Sequence, residues 1–154
     1  MNQRILVIFS CAAILGFAGL GFASESGIVK TVRGQVLIER GSSKLEAKVG
    51  DPVQEHDRLV VQSNSSVGLS MRDETLLGIG PNSTMVIDRY SYDPVTREGK
   101  VETSILKGTL RYVSGLIGKA NPQAIKVMTD NATIGIRGTE FIVEVPSKSW
   151  IRTW

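Results

Sequence analysis

What most restricts this chain is a period of two. In "KLEAKVG", Leu45, Ala47 and Val49 fall on one side of an extended backbone, with Glu46 and Lys48 on the other. "VGLSMR" does the same with Val67, Leu69 and Met71 against Ser70 and Arg72. "VETSIL" sets out Val101, Thr103 and Ile105, and "IKVMT" sets out Ile125 and Val127. Successive side chains of a strand point to opposite faces, so this alternation specifies sheets with one wetted face.

Turn chemistry separates the runs: "RGSSK", "VGDPV", "SNSSV", "RDET", "GPNST", "YDPVTREG" and "TDNA" are rich in Gly, Pro, Asn, Asp and Ser. They recur about every 8 to 12 residues, the spacing of a sandwich, barrel or roll. No long helical period appears. "GLIGKAN", Gly115 to Asn121, reads as a helical turn or a loop, since its two glycines disfavour a stable helix. A loose echo links "VGDPVQEHDRLVVQSNSSVGLSM" to later strand-turn-strand units, without the fixed period of a repeat protein. The expected fold is all-β: one antiparallel-rich sandwich or short solenoid-like roll of about ten short strands.

The chain of 154 residues begins "MNQRILVIFSCAAILGFAGLGFAS". Arg4, the apolar run Ile5 to Phe22, and Gly21-Phe22-Ala23 have the layout of a secretory signal peptide, residues 1–23. The alternative is an uncleaved N-terminal membrane anchor. The only cysteine, Cys11, lies inside that run, so the mature chain has no disulfide framework, thiol nucleophile or cysteine metal site. About 130 residues remain, enough to be stabilised by their own core. The formal charge of +3 falls by one when Arg4 leaves. The positive residues, among them Lys44, Lys48, Arg58, Arg72, Lys107, Lys119 and Lys126, are scattered singly. A nucleic-acid binder concentrates its charge on a face or stripe, so nucleic acid is not expected as a partner.

The alternation breaks in "IGIRGTEFIVEV", Ile134 to Val145. Ile134 and Ile136 are even-numbered and apolar, whereas Phe141, Val143 and Val145 are odd-numbered and apolar. A strand cannot change faces without an extra residue, so a bulge or corner is expected near Gly138, with Arg137 and Glu140 bracing the bend. The competing reading, an anion site at Arg137-Gly138-Thr139, lacks the several glycines, lysine and following helix of a phosphate loop.

His56 is the only histidine, which leaves no histidine pair for zinc and no Ser-His relay. "GDPVQEHD" gathers Asp51, Glu55, His56 and Asp57, but not at calcium-loop spacing. Neither Asp73, Glu74 nor Asp88 forms a recognisable glycosidase pair, and Ser65, Ser83 and Ser104 lack a nucleophile elbow. No catalytic residue, metal site or cofactor is expected. "IDRYSYDP" places Tyr90 and Tyr92 on one face of a strand, where such a pair more often covers the edge of the core; the other reading makes them, with Trp150, a candidate surface for a partner chain or a glycan such as peptidoglycan. The sequons at Asn64, Asn82 and Asn131 fall where turns use asparagine anyway, so glycosylation is not inferred.

Four blocks in order, "VRGQVLI", "LEAKVGDPVQEHDRLVVQSNSSVGLSMRDETLLGIGPNSTMVI", "LKGTLRYV" and "VMTDNATIGIRGTEFIVEV", resemble the FecR domain family, named for the periplasmic ferric-citrate regulator. The likeness runs from about Val29 to Val145. It implies an exported, non-enzymatic β domain over residues 27–145. Its signature residues are Gly135, Arg137, Gly138, Thr139, Glu140 and Phe141. Regulatory members form the periplasmic part of an inner-membrane regulator and receive a signal from an outer-membrane receptor. They carry a cytoplasmic anti-sigma segment before a transmembrane helix, whereas here only Met1 to Arg4 precede the apolar run.

The expectation is therefore a free periplasmic protein-interaction or signal-sensing module, with glycan binding as the alternative. No membrane span is expected to remain after signal cleavage. Family domains usually continue past the GTEF strand into another hairpin. Residues 146–154, "PSKSWIRTW", read instead as an irregular tail, as if truncated, that leaves a sheet edge open for β-strand addition by an envelope protein.

Overall fold

The computed structural model describes residues 25–136 and 138–146. Residues 1–24 (the expected signal peptide among them), Arg137, and residues 147–154 with Trp150 lie outside them. Twelve strands are formed: β1 (Glu25–Arg33), β2 (Val36–Arg40), β3 (Ser43–Glu46), β4 (Pro52–Gln54), β5 (Arg58–Val61), β6 (Ser66–Met71), β7 (Leu76–Ile79), β8 (Ser83–Tyr92), β9 (Gly99–Val113), β10 (Ile125–Met128), β11 (Thr133–Gly135) and β12 (Glu140–Val145). They make one curled sheet in the order β3-β2-β5-β8-β9-β7-β6-β1-β4, with β10 and β12 also paired to β9, and β11 to β10. Every pairing is antiparallel except β9 with β10. The fold is a roll, because all twelve strands belong to one sheet curled into a half-barrel.

The sheet folds into two wings along a line where long strands bend. β9 pairs with β8 up to Lys107 and with β7 from Leu110, so it serves both wings and bends between them. Gly108 occupies the bend at φ +91°, and a Cβ there would collide with Ser83. The Ser83 hydroxyl accepts from Thr109 N at 2.9 Å and donates to Pro81 O at 3.2 Å. The β1–β2 bend repeats this device. Gly34 has φ +68°, its missing Cβ leaves room for Ser65, and the Ser65 hydroxyl accepts from Gln35 N at 2.9 Å. Asn64 and Asn82, the residues before the two serines, both adopt φ +54°. The left-handed region suits asparagine better than most residues. The loose echo in the sequence thus has a physical basis: "SNSS" and "PNST" are matched corners.

Between the wings lies one core that includes Val29, Val67, Leu69, Leu77 and Leu110 from one side and Ile38, Leu59, Met85, Ile87 and Ile105 from the other. The alternating runs "VGLSMR", "VETSIL" and "IKVMT" bury the residues their parity selects. "KLEAKVG" does not. Ala47 is buried, but Leu45 is exposed because β3 is the outermost strand of its wing, and Val49 is exposed in the turn that follows. "GLIGKAN" forms a short helix, α1 (Leu116–Ala120). Its glycines serve close packing: a Cβ on Gly115 would strike the backbone of Asp73–Thr75, and one on Gly118 would strike Ile125.

Candidate functional site: the open end of the roll

The far ends of the wings are stitched together by polar groups. The Tyr90 hydroxyl, on β8, donates to Asp73 Oδ1 at 3.1 Å and accepts from Asp73 N at 2.9 Å in the β6–β7 turn. Asp73 Oδ2 accepts from Thr75 Oγ1 at 2.7 Å, Gly115 N donates to Thr75 Oγ1 at 3.1 Å, and Leu116 N donates to Asp73 O at 2.7 Å. Burial first, and then the adjacent Asp73 carboxylate, push the Tyr90 phenol well above its usual range. Tyr90 is only 8% exposed, so of the two readings of "IDRYSYDP" it follows the one in which the pair covers the edge of the core. Its hydroxyl found a buried partner and its ring joined the core, as buried tyrosines usually do. Tyr92 is half-buried at the core margin.

The residues of "GDPVQEHD" are likewise used internally. Asp57 accepts both nitrogens of the Arg40 fork at 2.7 Å and Gln54 N at 2.8 Å. Glu55 accepts from Tyr90 N at 2.7 Å, Asp51 accepts from Lys48 N at 2.8 Å, and His56 occupies a turn at φ +67°. Among the described residues no group of three or more His, Cys, Asp or Glu side chains is placed to hold a metal.

The last part of the chain makes the remaining site. β11 pairs with β10 on one wing, and β12 pairs with β9 on the other over Gly108–Val113. β11 and β12 thus belong to different wings, and the parity change falls at the crossing between them. Gly138 has φ +141°, with nothing within 4 Å of its missing Cβ. Ser114 secures the crossing, its backbone N donating to Thr139 O at 2.7 Å and its hydroxyl to Gly138 O at 3.2 Å. Glu140 pairs with Arg111, two of whose nitrogens lie 2.7 Å from Glu140 Oε1. That pair is solvent-exposed and contributes little stability, about 0–1 kcal/mol.

Folded this way, the segment lines its own recess of about 360 Å³, with Ile134, Gly135 and Ile136 on one side and Phe141, Ile142 and Val143 on the other. Phe141 stacks on the buried Tyr112 ring at 5.0 Å and 18°. The recess opens beside β12, which among the described strands pairs only with β9. On the outer face of the same wing a wider groove of about 590 Å³ has Gly68, Gly78 and Gly80 in its floor, Lys30 and Arg111 on its walls, and Ile142 at its margin. No aromatic side chain lines it.

A sequence profile described as FecR protein matches residues 57–151. The chain belongs to the FecR family. The profile match starts at Asp57, later than the Val29 suggested by the sequence blocks, and it contains the crossing, the recess and β12. Neither curated proteins nor solved structures returned a match. FecR domains are typically tied to signal transduction in the cell envelope. No helix among the described residues is long and apolar enough to cross a membrane.

Sequence reasoning brought attention to the FecR signature but missed Ile134, Ile136 and Val143 as the lining of a recess. The signal was the parity change itself: apolar residues of both parities on one segment had to end up facing each other or facing a partner. Arg137 and Trp150 fall outside the described residues; of the two residues expected to brace the bend, the described one, Glu140, pairs with Arg111.

Proposed function

We propose that this FecR-family chain is a non-enzymatic, periplasmic interaction or signal-sensing module, and that it docks an extended segment of an envelope protein along the free edge of β12. The observation that carries the reading is the contrast among edges. β4 and β11 are three residues long, β3 is four, and β4 starts at Pro52. Short length and proline are usual means of blunting an edge. β12 is six residues long, with Ile142 65% exposed at its centre and an apolar recess alongside. An edge of that kind suits strand addition, in which backbone hydrogen bonds give affinity and side-chain pockets give selectivity.

A benzophenone side chain in place of Ile142, in the full chain and in intact envelopes, tests the proposal. The expected result is a crosslink from this position to another polypeptide, and none from the same group at Val95, which is 88% exposed in a distant turn. Crosslinks confined to the chain's own residues 147–154, or none at all, refute it. The glycan alternative has lost Tyr90 as a stacking ring, and no described feature replaces it.

A further inference from the structure

We infer that the segment received by β12 carries a cation opposite Glu144, an apolar residue opposite Ile142, and a second apolar residue between them that faces the recess. This inference rests on the docking reading above and adds the chemistry of the partner. β12 presents Glu140, Ile142 and Glu144 outward, while Phe141, Val143 and Val145 turn inward. A strand laid beside it therefore meets two different surfaces, because its own side chains alternate in the same way.

On the outward surface the two carboxylates are not equivalent. Glu140 is already compensated by Arg111. Glu144 lies opposite Thr109 on β9 and has no ion pair to a described residue. A lysine or arginine opposite Glu144 gains an attractive cross-strand pair, and an acidic residue there is repelled. Between the carboxylates, Ile142 leaves most of its side chain in water and gains from an apolar neighbour. On the inward surface the side chains that wall the recess, Ile134, Ile136, Phe141 and Val143, are all apolar and gain from an apolar neighbour. The required pattern is a cation, then two apolar residues, in extended conformation. An antiparallel partner carries this order from its N-terminus, whereas a parallel partner carries the cation last.

Three synthetic nine-residue peptides of valine and threonine test this against the full chain. The first has a valine at its centre, a lysine two residues away, and a valine between them. The second has glutamate for that lysine, and the third has serine for the intervening valine. Binding is read by titration, and its location by hydrogen exchange of the β12 amides. On the native chain the lysine peptide is expected to bind about fivefold more tightly than the glutamate peptide, as a reversed cross-strand charge pair implies. Glu144→Lys should invert that preference, and the serine peptide should bind more weakly than the lysine peptide to both chains. Equal binding of the lysine and glutamate peptides to both chains, with β12 amides protected, overturns the charge assignment and leaves strand docking standing. Equal binding of the serine and lysine peptides overturns the recess assignment. No binding and no protection by any peptide removes the docking reading as well.

Discussion

Replacing Arg40 by methionine should destabilise the domain severely, although Arg40 is itself one-third exposed. The reason is its partner. The Asp57 side chain is fully buried, and its oxygens receive two Arg40 nitrogens at 2.7 Å and the backbone N–H of Gln54 at 2.8 Å. Arg40 also donates to Pro52 O at 3.0 Å, so one guanidinium joins β2 to both ends of the β4 turn. With Arg40→Met the carboxylate keeps a single donor while remaining out of water. Removing one member of a fully buried ion pair costs about 3–5 kcal/mol. Because water can reach the exposed third of this site, about 2–4 kcal/mol is expected. That is a large fraction of the 5–15 kcal/mol that holds a domain together, and corresponds to a fall in Tm on the order of 10 °C.

Urea unfolding followed by far-ultraviolet circular dichroism measures this, with a lower midpoint and an unchanged slope expected. Asp57→Asn supplies the control, because it removes the charge that Arg40 compensates. In the Asp57→Asn background, Arg40→Met should cost less than half of what it costs alone. A loss below about 1 kcal/mol for Arg40→Met refutes the argument, as does an equal loss in both backgrounds.

Three further outcomes follow from the bends, the stitched ends and the surface charges. Gly108→Ala should cost about 2–4 kcal/mol, from left-handed strain plus the collision with Ser83, whereas Gly41→Ala, at φ +57° with open space around it, should cost about 1–2 kcal/mol; equal urea midpoints would contradict the bend assignment. Tyr90→Phe strands the buried Asp73 N–H and removes a donor from its carboxylate, so a loss of about 1–3 kcal/mol is expected in the same assay. Glu102 titrates below its ordinary value because of its hydrogen bond to Lys100, aided by the charges of Lys100, Arg89 and Lys126. Its stabilisation is therefore present above the unfolded carboxylate value near pH 4.3 and is lost as pH falls through the lower folded value, so Glu102→Gln should flatten stability against pH in that acidic window.

Period-two patterning made the all-β class and most of the core legible, because burial on one face leaves a direct imprint on alternate residues. It failed where burial depended on a neighbour. The pattern of "KLEAKVG" looks the same as that of "VGLSMR", yet β6 lies between β1 and β7 while β3 has a neighbour on one side only. The partner of Tyr90 was illegible for a related reason: a tyrosine two residues from another gives no hint that a buried Asp73 on a different strand pair will meet its hydroxyl. The recess was half-legible. Parity marked the place where the strand had to change faces, but only the pairing of β11 and β12 to different neighbours shows that the two apolar sets confront each other.

The same tripeptide chemistry, a basic residue, glycine and a polar residue, occurs in "VRGQV", "LKGTL" and "IRGTE". At Gly34 and Gly108 the missing side chain makes room for a serine that braces the bend. At Gly138 no atom stands where the side chain would be, and only the backbone angle demands glycine. The first two are therefore packed corners inside the sheet, and the third is an unpacked crossing between its wings. A packed corner ties substitution at glycine to the fit of its neighbours, whereas a crossing ties it to the direction of the chain that follows. The consequence for Gly138 is specific: a substitution there changes the angle at which β12 leaves the crossing, and with it the distance between Ile136 and Phe141 across the recess. The glycine of the FecR signature is thus expected to set the width of the recess beside β12, which at six residues is longer than the other edge strands β3, β4 and β11.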